Sequence, residues 1–202
     1  MTIIDKPKAF QNENELEKPT RDEAERAVKT LIKWAGDNPN REGLIETPKR
    51  VVKAFEEYFA GYHKDPKKIL EKTFSETSNY QDFVMLKNIS FRSHCEHHLA
   101  PIIGSVSIAY IPNNSVVGIS KLARIVDVFA KRLQTQETMT AQIGNSVQQY
   151  LNPKGVAVYV SAEHHCMSSR GVNKLHVDMV TTHFLGEFKE KIEFQERFLS
   201  SI

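Results

Sequence analysis

The chain reads as an α+β protein in which an antiparallel sheet follows an N-terminal helical section. Three observations carry this reading. Two amphipathic helical patterns occupy the stretch from about residue 20 to 59. Four runs rich in β-branched and aromatic residues come after them. Two further apolar stripes at helical spacing lie between the second and third of those runs, which places two helices on one face of the sheet.

The opening segment, MTIIDKPKAFQNENELEKPT, lacks the charged-then-apolar pattern of a signal peptide. Residues 1–18 read as a polar, mobile tail. Thr20-Arg21-Asp22-Glu23 is a capping box, and Ala24, Ala27, Val28, Leu31 and Ala35 follow at helical spacing up to a stop at Gly36. Thr47-Pro48 opens a second helix whose apolar face is Val51, Val52, Phe55 and Phe59. Together these make a helical section over 19–75. The remainder, 76–202, reads as the catalytic domain, with strands over 83–91, 105–111, 155–161 and 177–185. Ser120 is the expected N-cap of a helix whose one face is Leu122, Ile125, Val126, Phe129 and Leu133. Met139, Ile143, Val147 and Leu151 form the next stripe, ended by Asn152-Pro153. The stretch 187–200 reads as a last helix or a charged tail.

With 202 residues, 40% hydrophobic and 26% charged, the chain has the composition of a globular domain with a sizeable core. A net charge of +2 is too small to argue for a nucleic-acid surface. No apolar run approaches the roughly 20 residues that span a bilayer. Two distant cysteines in a chain without a secretory leader point to thiols or metal ligands, and the cytoplasm is the expected location.

Both cysteines lie beside histidines, in Cys95-Glu96-His97-His98 and His164-His165-Cys166. Five of the eight histidines fall in or next to these two clusters. Cys95 and His98 have the spacing that lets two side chains reach one metal from a single turn, and Cys166 offers a third soft ligand. Two thiolates and an imidazole suit zinc, and three protein ligands leave a fourth position for water. The 68 positions from His98 to Cys166 exclude a zinc finger, whose gaps are about 12–20 residues. The ordinary alternative is a pair of buried cysteines with locally bonded histidines.

Three further groups have both a functional and an ordinary reading. Gly118-Ile119-Ser120-Lys121-Leu122-Ala123-Arg124 offers a helix N-terminus with two bases one turn apart, suited to a phosphate or simply a capped, solvated helix. Gln136-Glu137 sits between the two helical stripes, where a carboxylate can accept from a planar pair of N–H donors or face solvent. Arg170 follows the second cluster closely enough to hold a phosphate, or is a surface arginine.

The segments SHCEHHLAP (93–101), AYIP (109–112), GISKLARIVDVFAKRLQTQETMTAQI (118–143) and EHHCMSSRGV (163–172), with ETPKRV (46–51), closely resemble the GTP cyclohydrolase I family. The resemblance implies the tunnelling fold, assembled as a ring-shaped homo-oligomer, a decamer of two stacked pentamers, with active sites between subunits. It implies Cys95, His98 and Cys166 as zinc ligands, and His97 and His164 as the histidines that move protons. Gln136 and Glu137 fall on guanine-recognition positions. Ser120, Lys121, Arg124 and Arg170 fall on triphosphate contacts, with Arg50 a further one donated by a neighbouring subunit. The implied reaction is hydrolysis of GTP at C8 with release of formate and rearrangement to 7,8-dihydroneopterin triphosphate, the first step of tetrahydrofolate and pterin synthesis.

One departure stands out. The family's Ser/Thr-rich strand after Arg170-Gly171-Val172 is here Val177-Asp178-Met179-Val180-Thr181, and His176 and His183 have no family role and read as strand-surface residues. Two other classes compete with the cyclohydrolase. A zinc-stabilised binding domain is disfavoured by the two spare histidines and Glu137, and a pterin aldolase or synthase by the complete Cys/His set.

Overall fold

The computed structural model describes residues 18–75, 80 and 82–202, so the tail expected over 1–18 falls, up to residue 17, outside the described residues. The chain divides into two compact units, one ending at Phe59 and the other running Ala60–Ile202.

The first unit holds α1 (Arg21–Trp34) and α2 (Thr47–Tyr58). The capping box forms as its sequence dictates: the Glu23 N–H donates to Thr20 Oγ1, and the Thr20 N–H donates to Glu23 Oε2 at 2.8 Å. The helix ends at Ala35, and Gly36 takes the left-handed conformation (φ +97°) that a side chain resists. Pro48 sits in the first turn of α2, where its missing N–H has no partner to lose.

The second unit begins with a short 3-10 turn, Ala60–His63, and continues through α3 (Pro66–Leu70), β1 (Thr73–Phe74), β2 (Val84–Cys95), β3 (Pro101–Ile111) and β4 (Val116–Val117). Next come α4 (Ile119–Ala130), β5 (Leu133–Gln134), α5 (Gln136–Leu151), β6 (Gly155–His164), α6 (His165–Ser168) and β7 (Asp178–Gly186). Two short helices, α7 (Glu187–Glu190) and α8 (Ile192–Ser200), close the chain. The main sheet has the order β5-β2-β3-β6-β7, antiparallel except for the parallel β2–β5 pair. The α+β architecture is as expected, with an antiparallel sheet, two long helices packed on it and a helical section before it.

Alternation along the strands divides the core in two. Val106, Ile108 and Tyr110 on β3 pair with Val160, Val158 and Val156 on β6, and all six are fully buried. They share this core with Leu122, Ile125, Val126 and Phe129 of α4 and Met139, Ile143 and Val147 of α5. The opposite alternation, Ala109, Ile111 and Ala157, is covered by Phe188 of α7 and Phe198 of α8, so the C-terminal stretch is a helical lid on the second face. Each fully buried side chain of this size contributes about 1.5–3 kcal/mol.

Two differences from the sequence reading concern α4. The helix α4 begins at Ile119 with Gly118 as N-cap, not Ser120, because the chain turns into the helix straight from the β4–β1 pairing at Val117. The hydroxyl of Ser120 therefore makes no capping bond. Leu133, expected on that helix, instead pairs with His94 in β5.

His183 is half-buried against α5 rather than on the surface. Its Nε2 lies 3.1 Å from Asn145 Oδ1, and its ring lies so close to Gly144 that an added Cβ would stand 2.7 Å from Cδ2. Burial first, and the charge of Lys189 on α7 second, hold this imidazole below its ordinary pKa. The unfolded chain takes up a proton on His183 near pH 6.5, and the folded chain does so only at lower pH. Between the two values the unfolded state binds more protons, so stability falls as pH drops below about 6.5. Urea unfolding at pH 7.5 and 5.5 should show a larger loss for the wild type than for His183→Gln; equal losses would remove His183 from the account.

Candidate active site

β2 runs on to Cys95 and β6 to His164, both beyond the apolar runs that mark them in the sequence. The pairing His94↔Pro101 and Ile102↔His164 brings these two strand ends to the same end of the sheet. After Cys95 the chain closes a tight turn. The Cys95 carbonyl accepts from the Leu99 N–H at 2.9 Å and from the His98 N–H at 3.4 Å, and the Cys95 N–H donates to the Ala100 carbonyl at 2.8 Å. Leu99 adopts φ +54° to complete it, an uncommon conformation for a leucine. The turn folds His98 back until its Nδ1 is 4.0 Å from Cys95 Sγ. From β6 the single-turn α6 delivers Cys166 to the same place. One ligand atom from each of Cys95, His98 and Cys166 lies within 4.8 Å of the others.

These three form the metal-capable group, and their chemistry fits a soft divalent cation. The Cys166 thiol is pushed up by burial and then by the neighbouring Cys95, so two thiolates side by side call for a cation between them. His97 lies next to the group rather than in it, with Nδ1 3.8 Å from Cys95 Sγ and Nε2 3.7 Å from Glu96 Oε1. Arg170 places Nη1 at 3.3 Å from His98 Nε2 and 3.4 Å from the Cys166 carbonyl.

β5 joins this cluster to the helices. Cys95 pairs with Gln134, whose carbonyl accepts from the Glu96 N–H at 3.1 Å, and α5 starts two residues later behind Thr135, which caps it through the Thr138 N–H. Gln136 is therefore fully buried (1% exposed), while Glu137 is exposed on the first turn. The Gln136 amide nitrogen donates to the carbonyls of Met179 (2.8 Å) and Val160 (3.2 Å) and to Thr181 Oγ1 (3.2 Å). Its oxygen meets His164 Nε2 at 2.8 Å. Because the amide nitrogen already faces acceptors, the oxygen is the acceptor toward His164. The hydrogen-bond network thus assigns the His164 proton to Nε2 and leaves Nδ1 basic. Burial lowers the His164 pKa, and the charge of Glu137 partly offsets this, so the two side chains act on one another.

Nothing in the local sequence marks Gln136 as the residue that holds His164. The only signal is its place one residue before an exposed acid at a helix start. On the strand segment noted at 177–181, the Thr181 hydroxyl bonds with Gln136 and Thr140, and Met179 meets Gln136 through its carbonyl.

The structure thus gathers Cys95, His97, His98, Gln136, Glu137, His164, Cys166 and Arg170 at one end of the sheet. Ser120, Lys121 and Arg124 lie on the first turns of α4, and among the described residues no hydrogen bond or ion pair ties them to the metal-capable group. Arg50 is exposed on α2, in the other unit.

A sheet end that carries a Cys-His-Cys group able to hold a metal, with two further imidazoles and a carboxylate near it, has the make-up of an enzyme's site. The family model for GTP cyclohydrolase I matches residues 24–202. The chain is 58% identical over 182 residues to a GTP cyclohydrolase 1 of Maricaulis maris, covering 90% of this chain and 89% of that one. It is 54% identical over 200 residues to a GTP cyclohydrolase 1 of Hyphomonas neptunium, covering 99% and 97%. Among solved structures, an archaeosine synthase QueF-like protein in the apo form aligns with 54% of this chain and 97% of its own, at 22% identity and a TM-score of 0.45. The chain belongs to the GTP cyclohydrolase I family.

Proposed function

We propose that the protein is a zinc-dependent GTP cyclohydrolase that hydrolyses GTP at C8, releases formate and rearranges the remainder to 7,8-dihydroneopterin triphosphate. The observation that carries this reading is the conjunction of the Cys95, His98 and Cys166 group with a half-buried His164 whose proton position is set by Gln136. Cys95, His98 and Cys166 would hold zinc, which when bound acts as a Lewis acid and lowers the pKa of a water from near 16 to about 7.

The chain's own residues do the rest. His164 takes a proton at Nδ1, the nitrogen its Gln136 bond leaves open, and passes it to N7 of the purine, which makes C8 electrophilic. Burial favours this transfer because it makes the imidazolium a stronger acid. His97, beside Cys95, moves protons during ring opening and the later rearrangement. Glu137 accepts two N–H bonds from the guanine edge. Gln136, expected at the base from the family pattern, is assigned to holding His164, because its side chain is already bonded within the chain. Ser120, Lys121, Arg124 and Arg170 hold the triphosphate, the first three at the N-terminus of α4 where the helix dipole favours anions.

The proposed assembly is a homodecamer with sites between subunits, to which Arg50 of a neighbouring copy adds a phosphate contact, and the proposed location is the cytoplasm. Incubating the zinc-loaded protein with GTP should release formate and an equal amount of a product that fluoresces after oxidation. Release of neither from protein with a full zinc complement would exclude the cyclohydrolase reading.

A further inference from the structure

Two threonines on different elements share a hydrogen bond beneath the site. Thr140 lies in the second turn of α5 and is buried, and Thr181 lies on β7 and is half-buried. Their Oγ1 atoms are 2.7 Å apart. Thr140 Oγ1 also lies 2.7 Å from the Gln136 carbonyl oxygen, which can only accept, so the single Thr140 proton goes there. Thr181 must then donate to Thr140, and its own oxygen has only lone pairs left for a third partner. That partner is the Gln136 amide nitrogen, 3.2 Å away. The three bonds close a ring that leaves Gln136 at its side chain and returns to it at its main chain.

Stability alone does not call for this ring. The Gln136 amide has two hydrogens, and the carbonyls of Met179 (2.8 Å) and Val160 (3.2 Å) already offer an acceptor to each. Two hydroxyls bonded to one another can be exchanged for apolar groups of the same shape at little cost, and valine has the outline of threonine. What the ring adds is direction. A hydroxyl whose proton is free can face an amide oxygen as well as an amide nitrogen. Thr140 takes up the Thr181 proton, so Thr181 faces Gln136 as an acceptor only. Every neighbour of the amide nitrogen then opposes inversion of the amide.

The other end of that amide is the oxygen that meets His164 Nε2 at 2.8 Å. An imidazole that takes up and gives away a proton at Nδ1 keeps its Nε2–H throughout, so an acceptor at Nε2 suits both of its forms. An inverted amide would set N–H against N–H there and turn the ring away. We infer that Thr181, kept an acceptor by Thr140, is a positioning residue that acts through Gln136 to hold His164 with its proton on Nε2 and its Nδ1 free. The inference rests on the functional reading above, in which Nδ1 of His164 delivers the proton to the purine.

A residue that acts through another has a signature that a merely structural one lacks: its effect vanishes once the intermediary is gone. The test compares the zinc-loaded wild type with Thr181→Val and Thr181→Ser, and repeats Thr181→Val in a Gln136→Met background. Formate release from GTP gives kcat and KM, and zinc content is confirmed for each protein. Thr181→Val is expected to lower kcat about tenfold, with KM within about twofold of wild type and zinc undiminished. Thr181→Ser keeps the hydroxyl and is expected to restore kcat to within about twofold of wild type. In the Gln136→Met background, Thr181→Val should change kcat by less than about twofold, since no amide is left to orient. An unchanged kcat in Thr181→Val overturns the inference, because the two carbonyls then suffice. A loss that serine does not restore, or a further loss in the Gln136→Met background, also overturns it, since Thr181 then acts by another route. A zinc-loaded wild type that releases no formate brings down the functional reading itself, and the inference with it. Should Thr181→Val not fold, Thr140→Val frees the Thr181 proton instead, and a fall of about threefold in kcat at constant KM is expected. An unchanged kcat there overturns the inference equally.

Discussion

Replacing His164 with alanine is expected to abolish formate release from GTP while leaving one zinc bound per chain. The two halves of this expectation come from different features of the same strand end. His164 is the last residue of β6 and Cys166 follows two residues later on α6, so the two side chains are close in sequence but belong to different groups. Cys166 joins Cys95 and His98, whereas His164 turns its Nε2 to Gln136 at 2.8 Å. Loss of general acid catalysis alone removes about 10²–10⁴ in rate, and here every turnover needs a proton delivered at N7. The variant also leaves Gln136 Oε1 without its donor, which costs about 1–3 kcal/mol and should appear as a lower unfolding midpoint in a fold that is otherwise intact. Formate release and zinc by atomic emission, measured on one preparation, settle it. A variant that loses its zinc along with its activity would contradict the separation of the two groups.

What the sequence disclosed and what it hid follow from how local each determinant is. The capping box of α1 was legible because Thr20 and Glu23 satisfy each other across one turn. The paired apolar residues of β3 and β6 were legible because burial on one face imposes alternation. The metal-capable group was legible because cysteine beside histidine is rare and its chemistry narrow. By contrast, β5 is two residues long and exists only because Cys95 and His94 offer it a parallel edge, so Leu133 looked like the next apolar position of a helix. The helix stops at Ala130 because long-range bonds take over: Gly61 engages the Lys131 carbonyl and Arg132 turns back on Val128. Gly118 rather than Ser120 caps α4 because the preceding residue is held in a strand by Thr73. The burial of Gln136 was equally hidden, since its partners lie 24, 28, 43 and 45 positions away. Residues proposed to act on substrate stand out by type and spacing, whereas the contacts that hold them in place appear only in the fold.

The second large effect concerns the two neighbouring histidines of the Cys95–Leu99 turn, because geometry alone separates them narrowly. His97 Nδ1 lies 3.8 Å from Cys95 Sγ and His98 Nδ1 lies 4.0 Å from it, so either could pass for the ligand of that cysteine. Cys166 discriminates. His98 offers an atom within 4.8 Å of both sulfurs, and its far nitrogen contacts Arg170, which arrives from the same segment as Cys166. His97 instead faces Glu96, at 3.7 Å. With three protein ligands, removal of any one leaves a two-point site of far lower affinity. His98→Ala and Cys166→Ala should therefore retain less than about a tenth of the zinc of the wild type after dialysis against a mild chelator. Their turnover should fall in proportion. His98→Ala is the cleaner of the two, since His98 is exposed in its turn while Cys166 is half-buried. His97→Ala should behave in the opposite way, keeping a full complement of zinc while formate release drops by about 10²-fold or more, because it removes a proton carrier and no ligand. An empty metal site in His97→Ala, with zinc retained in His98→Ala, would exchange the roles of the two residues. It would also place the proton carrier on the side of Arg170, where a cation already stands.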